Sequence, residues 1–350
     1  MTVRATHAIL LDIAQAGDRL VAVGEHGIIL LSDNFGKTWR QVPVPISVTL
    51  TAVQFASPKV GWAVGHAGIV LSTNDGGETW TCRLDGKTAA ELVLKAAEAQ
   101  DSAAAPVHDN RAGATTNPDT DNVLKPLADA QRLVADGWDK PFLALHFDNE
   151  KSGYVVGAYN LIFRTEDGGV TWQPWLSHVD NTKGAHLYAI TRCGGILYIA
   201  GEQGTFLRSK DDGQHFENLA TPYKGSYFAM ATLPSCEIVI VGLRGNAYRS
   251  SDQGATWSKI DFPAPISFTA AGAFDDHSFF LTNQAGQIFV SRDRGQTWQA
   301  LASPPLPPIT GAIETSGGGF VGVSMGGVWQ FGPSLSARQG ENSENSKRKL

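Results

Sequence analysis

Short apolar runs separated by glycine and polar turns fill most of this chain, and they return in a fixed order. "LTAVQF", "FLALHF" and "LYAIT" each lead to a second run ending in glycine, "GWAVG", "GYVVG" and "LYIAG", then to a two-residue turn and a third apolar run. Runs this short, rich in β-branched and aromatic residues and bounded by turn residues, predict strands. Each third run enters a polar phrase, of which "LSTNDGGETW" at residues 71–80 is a full copy.

The phrase recurs six times, ending on Trp39, Trp80, Trp172, Phe216, Trp257 and Trp298. Seven positions before each aromatic stands a hydroxyl: Ser32, Thr73, Thr165, Ser209, Ser250 and Ser291. Five before stands Asn34 in the first copy and Asp75, Asp167, Asp211, Asp252 or Asp293 in the others; three before stands a glycine every time. The carboxylate and hydroxyl suit the free N–H groups of a tight turn, and glycine suits its positive-φ position. The phrase therefore reads as the hairpin between third and fourth strands. Four strands at a period of about forty residues describe a propeller blade.

Counting units predicts an all-β, seven-bladed β-propeller. After six full copies comes a partial seventh unit, residues 309–331; one further step of 41 reaches Gly332 where a hydroxyl is due, so blade seven should lack its outer strand. Residues Thr2 to Thr6 precede the first inner strand and are expected to complete blade seven, pairing its open edge. The expected organisation is one propeller over residues 1–332, an insertion over 85–140 between blades 2 and 3, and a disordered polar tail over 333–350.

The insertion shows as 51 residues more between Trp80 and Phe142 than between Trp39 and Leu50. Thr88 and Glu91 stand at capping-box spacing ahead of Leu92, Val93 and Ala96, which predicts a helix. Residues 101–121 read as disordered, and a second helix is expected from about Pro126 to Asp136, ending at Gly137. The arm either packs on its own ring or docks a partner.

Composition narrows the function. The chain has 350 residues, 42% hydrophobic and 18% charged, which is ordinary for a soluble globular protein. A net charge of -6 offers no bulk attraction to nucleic acid, and no window is apolar enough for a membrane span. The early run "AILLDIA" is short and carries Asp12, a poor signal peptide, so the chain reads as cytoplasmic. Three cysteines, odd in number and far apart, argue against a disulfide framework. No histidine spacing suits a metal, the phrase lacks the spacing of a calcium loop, and no cofactor is expected. "GVSMG" and "GGGFVG" match nucleophile-elbow and dinucleotide patterns, but neither sits between a strand and a helix.

Alternating strand directions place the inserted arm and the turns between second and third strands on one face, opposite the repeated phrase. Those turns vary in chemistry while their frame stays constant, as expected of a recognition rim. Its candidates for partner binding are Glu25, His26, His66, Tyr159, Glu202, Gln203 and Arg244. A second candidate is an arginine patch, Arg164, Arg208 and Arg249, in register on third strands of neighbouring blades; such guanidinium groups either read a carboxylate-rich partner or stack and pair between blades.

"GWAVGHAGIVLSTNDGGETW", "GYVVGAYNLIFRTEDGGVTW" and "VAVGEHGIILLSDNFGKTW" resemble the Asp-box (BNR) repeats of the photosystem II stability/assembly factor family, in its non-photosynthetic bacterial form. The resemblance spans about Ala8 to Phe331. It implies a non-enzymatic propeller that assists assembly of membrane protein complexes, a protein partner, and an arginine patch whose nearest match is Arg164, Arg208 and Arg249. It also implies exported relatives in periplasm or thylakoid lumen. A monomer is expected. The alternative is an Asp-box glycoside hydrolase, sialidase-like or other, for which Tyr159, Glu202 and Arg244 are the best constellation; it has one arginine where a sialidase needs three.

Overall fold

The computed structural model describes residues 5–104, 120–301, 306–314 and 320–331. Seven antiparallel sheets follow one another along the chain, each a meander whose strands pair in sequence order. Blade 1 runs Leu10–Ala16, Arg19–Gly24, Ile29–Ser32 and Arg40–Val42. Blades 2 to 6 repeat it, and blade 7 has three strands among the described residues: Ile309–Glu314, Phe320–Ser324 and Gly327–Phe331. The inner strand of blade 1 packs against those of blades 2 and 7, so the ring closes on itself.

The second strand of every blade is buried along almost its whole length, which is why it reads as a continuous apolar run rather than an alternating one. Between blades the core is filled by large side chains: Trp62 of blade 2 stacks on Phe147 of blade 3 with centroids 3.5 Å apart. In five blades the second strand ends on glycine for steric reasons. A Cβ on Gly24, Gly65, Gly157, Gly201 or Gly242 would lie 2.0–2.3 Å from the carbonyl oxygen just ahead of that blade's inner strand.

Each inner strand carries a bulge at its second residue: Leu11, Thr51, Leu143, Tyr188, Phe228, Thr269 and Thr310 in blades 1 to 7. Bulged residues turn into the central channel. Where the bulge is threonine, its hydroxyl reaches the next blade's inner strand, from Thr51 to Phe142 O, Thr269 to Ile309 O and Thr310 to Leu10 O, at 2.5–2.7 Å.

Three expectations need correction. Cys193 and Cys236 form a disulfide, with Cα atoms 5.5 Å apart. Their separation of 43 residues is close to one blade, so the repeat that spaces them in sequence superposes them in space; Cys82 stays free and exposed. The first inserted helix, α1 (Gly86–Ala104), starts two residues before Thr88, because Asp85 follows the outer strand directly and its Oδ1 accepts Thr88 N–H at 2.8 Å. Residues 101–104, read as disordered, belong to α1, and α2 (Thr120–Ala135) starts well ahead of Pro126; the stretch between the helices lies outside the described residues.

The arm packs on its own ring. Ala89, Val93 and Ala97 of α1 and Ala130 of α2 are buried in one cluster with Leu84, Phe142 and Leu161. Of the closing segment, residues 1–4 lie outside the described ones, and Ala5–His7 forms a 3-10 turn against the last strand of blade 7. The tail from 332 onward also lies outside them.

Candidate functional site

Two faces emerge from this topology. On one, the six phrases form six nearly superposable turns. In box 5, Gly254 N–H donates to Ser250 Oγ (2.9 Å), Thr256 N–H to Asp252 Oδ1 (2.9 Å) and the Thr256 hydroxyl to Asp252 Oδ2 (2.5 Å), while Ser250 Oγ bonds Asp252 Oδ1 (2.8 Å). Boxes 2, 3 and 6 repeat this around Asp75, Asp167 and Asp293, and box 4 does so around Asp211 with His215 N–H in place of threonine. In box 1 the amide of Asn34 keeps the acceptor for Thr38 N–H and turns its Nδ2 to the Thr38 hydroxyl, so the donor is reversed and the geometry survives. The hydrogen bonds from Thr256 hold the Asp252 carboxyl below its ordinary value, and Ser209 does the same for Asp211. Burial pushes Asp75, Asp167 and Asp293 up, but their threonine donors outweigh it and these too settle low. A carboxylate held low by its own turn is a structural acceptor.

The residue just before each box glycine is left-handed: Phe35, Gly76, Gly168, Asp212, Gln253 and Arg294, with φ between 57° and 75°. That conformation turns its carbonyl toward the preceding blade, which supplies a donor in all six cases. Arg19 Nη1 reaches Gly76 O (3.0 Å), Trp62 Nε1 reaches Gly168 O (2.9 Å) and Tyr154 Oη reaches Asp212 O (3.1 Å). Arg208 Nη1 reaches Gln253 O (2.9 Å), Arg249 Nε reaches Arg294 O (2.6 Å) and Gln330 Nε2 reaches Phe35 O (3.4 Å). Four donor chemistries thus converge on one acceptor position and form a belt around the ring. Box 4 adds a substitution: its aromatic is Phe216, which has no N–H, and Trp175 of the blade 3 connector donates to Gly213 O at 2.6 Å, the bond that Trp80 makes within its own box to Gly77 O.

Two of the three candidate arginines, Arg208 and Arg249, are donors in this belt. Arg208 pairs with Glu217 (2.7 Å) besides its bond to Gln253, and its side chain is 12% exposed. Arg164 lies 4.9 Å from the Trp175 ring centroid and 5.8 Å from that of Tyr154, and pairs with Glu166. Arg249 is bound to the blade 6 box. Each guanidinium is engaged, that of Arg164 within blade 3 and those of Arg208 and Arg249 across to the next blade's box.

The opposite face is the rim. In blades 1 to 5 the turn between second and third strands is a one-turn 3-10 segment, and its middle residue is left-handed: His26, Ala67, Tyr159, Gln203 and Arg244, with φ of 53–57°. In all seven blades the N–H of the turn's first residue donates to the connector carbonyl ahead of the inner strand, from Glu25 to Ile9 O through Met325 to Pro308 O. His26, His66, Tyr159, Gln203 and Arg244 are exposed at the tips. Glu25 and Glu202 are held back: Glu25 Oε1 accepts Ile9 N–H at 2.9 Å, and Glu202 Oε2 accepts His186 N–H at 3.3 Å. Among the described residues no hydrogen bond, ion pair or ring contact joins the side chains of Tyr159, Glu202 and Arg244.

Several neighbours of the expected rim tip Tyr159, among them Trp138, Lys140 and His186, were not legible as such. Trp138, just past α2, is 58% exposed and Tyr159 is 55% exposed, with Lys140 Nζ 5.8 Å above the tyrosine ring. Tyr159 N–H donates to His186 Nδ1 at 2.8 Å, and rings then run edge-on from Tyr159 to His186, Tyr188 and Phe228 at 4.7, 6.2 and 5.3 Å, leading from the rim into the channel mouth. The bulge that aims Tyr188 and Phe228 inward has no one-residue sequence signal.

The central channel encloses about 560 Å³. At the residue after the bulge, six blades place Ala52, Ala144, Ala189, Ala229, Ala270 or Gly311, and blade 1 places Asp12. Asp12 is half-buried in the wall; its Oδ1 accepts Ile13 N–H and its Oδ2 accepts Val53 N–H of blade 2, both at 2.8 Å. Burial pushes its carboxyl up to about 7, against those two bonds. Among the described residues no group of histidine, cysteine and carboxylate side chains is placed to hold a metal, and no helix is long and apolar enough to cross a membrane.

Seven meandering sheets, six of them closed by such turns, define an Asp-box (BNR) propeller. The chain belongs to the family described as Photosynthesis system II assembly factor YCF48, whose model matches residues 7–102 and 130–260, more than half of the chain; a BNR/Asp-box repeat model matches 289–300. Among curated proteins, Photosystem II stability/assembly factor HCF136, chloroplastic, of Cyanidioschyzon merolae is 48% identical over 50 residues, 14% of this chain and 11% of that protein. The Guillardia theta protein of the same name is 42% identical over 48 residues, 13% of this chain and 12% of its own length. The chain therefore matches only about a tenth of the length of these relatives. Among solved structures, YCF48 bound to D1 peptide is 17% identical with a TM-score of 0.63, each chain 92% covered. YCF48 from Cyanidioschyzon merolae is 15% identical with a TM-score of 0.64, covering 92% of this chain and 95% of that one. A streptogramin B lyase is 12% identical with a TM-score of 0.65, covering 94% and 95%. At these identities the likeness is one of fold.

Proposed function

We propose that this propeller is a non-catalytic scaffold that helps assemble or stabilise a membrane protein complex, holding a partner polypeptide on the rim opposite the Asp boxes. The observation that carries the reading is the rim's build: five turns share one backbone geometry, yet their left-handed tips bear histidine, alanine, tyrosine, glutamine and arginine. Non-glycine residues in that conformation hold strain of about 1 kcal/mol or more each, which the frame tolerates while the side chains remain free to vary. Membership of the YCF48 family and the D1 peptide on a solved relative support a protein partner. The opposite face is occupied by its own belt.

Photo-crosslinking tests this. A crosslinker at Tyr159 or Gln203 is expected to capture subunits of one membrane complex in cells, whereas one at Lys37 on the Asp-box face captures none. Soluble metabolic enzymes alone at the rim positions would overturn the reading. The glycosidase alternative is weakened by Glu202, whose carboxylate accepts a main-chain bond; turnover of aryl glycosides abolished by Glu202→Gln would revive it.

A further inference from the structure

We propose that the channel mouth is a binding site for an organic cation, an alkyl ammonium or guanidinium group, with Asp12 as its counter-ion and Tyr188 and Phe228 as the wall for its apolar stem. This inference does not rest on the rim reading. In a ring of seven, blades 4 and 5 stand diametrically across from blade 1, so the two bulged aromatics face the blade that carries the carboxylate. They lie one residue nearer the rim than the ring of alanines in which Asp12 sits.

Asp12 is the one acidic residue among those lining the described channel, and no lysine or arginine lines it; His146, the one histidine there, is paired with Asp148 at 3.0 Å. Among the described residues the carboxylate has two main-chain donors but no counter-charge, and its oxygens have acceptor capacity left. Gly311 of blade 7 leaves it room: a Cβ there would lie 3.2 Å from Asp12 Oδ1. A bound cation would supply the missing partner and draw the carboxyl back toward its ordinary range. Glu202 adds negative potential from the rim side, for its charge raises the Tyr188 phenol after burial has done so. Tyrosine and phenylalanine faces attract cations and cover their aliphatic stems. A volume of about 560 Å³ is within the range of small-ligand sites, about 300–1,000 Å³.

The same chemistry has two sources, a free amine or the side chain of a partner's lysine or arginine, and the experiment has an arm for each. Agmatine and a blocked Gly-Arg-Gly peptide are titrated against the full chain by NMR, with the uncharged butanol as control. Saturable binding of at least one cationic probe at about 1 mM or tighter is expected, with none for the alcohol. The arm that binds identifies the source. Asp12→Ala should weaken it at least tenfold, and Tyr188→Leu about threefold. Alanine is the residue that five other blades carry at the Asp12 position; should that variant fail to fold, the leucine variant and the shifts of channel-lining resonances in the unmodified protein decide. No saturation by either cation at about 10 mM, or equal binding in folded Asp12→Ala, overturns the proposal.

Discussion

The two faces of this ring are made by opposite rules. On the Asp-box face six turns repeat one set of side-chain bonds, and different donors from neighbouring blades all end on the same carbonyl. On the rim the main chain repeats and the side chains diverge. Repeated chemistry is what a junction needs, since every blade must meet the next one in the same way; a constant frame with variable tips is what recognition needs. Variation is tolerated where a main-chain bond common to all seven blades holds the turn.

This contrast can be broken in order of expected effect. Reducing the Cys193–Cys236 bridge, which joins blades 4 and 5 on the Asp-box side and closes a loop spanning 43 residues, should lower unfolding free energy by about 3 kcal/mol. Denaturant melts with and without reductant measure it, and an unchanged midpoint would mean that the belt holds these blades without it. Asp252→Ala leaves the N–H of Thr256 without its acceptor and should remove about 2 kcal/mol.

The same variant carries a pH signature. Because the folded Asp252 carboxyl lies below its unfolded value, its contribution is present above an ordinary aspartate pKa, 3.8, and lost as pH falls through the depressed folded value. Asp252→Asn should therefore flatten the acid limb of the stability profile below about pH 4, and box 1 shows that an amide can hold such a turn. A profile with the original slope would separate the turn from acid lability.

Tyr154→Phe keeps the ring and removes the donor to Asp212 O, for an expected loss of about 1 kcal/mol in the same melts. The smallest effect has the opposite sign. Gln203→Gly should gain about 0.5–1 kcal/mol by relieving a left-handed residue, while partner capture at the rim falls. A rim glycine that neither stabilises the fold nor alters capture would remove the distinction between the faces.

Much of this was readable in one dimension. Blade count, box positions and the site of the insertion followed from spacing, because each blade is a local meander whose strands pair with their sequence neighbours. Rim tips such as Tyr159 and Gln203 were readable as turns for the same reason. Asp85 as the helix cap was missed because Thr88 offered a familiar motif three residues later, and the continuation of α1 through 101–104 because its polar composition resembles a linker. The bridge between Cys193 and Cys236 looked too distant in sequence, although one blade period is the distance that a propeller folds away. Arg208 and Arg249 stand on third strands and Trp62 and Tyr154 on second strands, so no one motif marks these four as donors to a common position.

Alone, the sequence determined the order of strands, the chemistry of each hairpin and the number of units, because all three depend on residues within about ten positions of one another. Only tertiary structure decided which carbonyl each arginine serves, which bulged side chains enter the channel, and that Asp12 stands as a single carboxylate across from an aromatic pair. Those relations join blades dozens to hundreds of residues apart, and they exist only once the ring has closed.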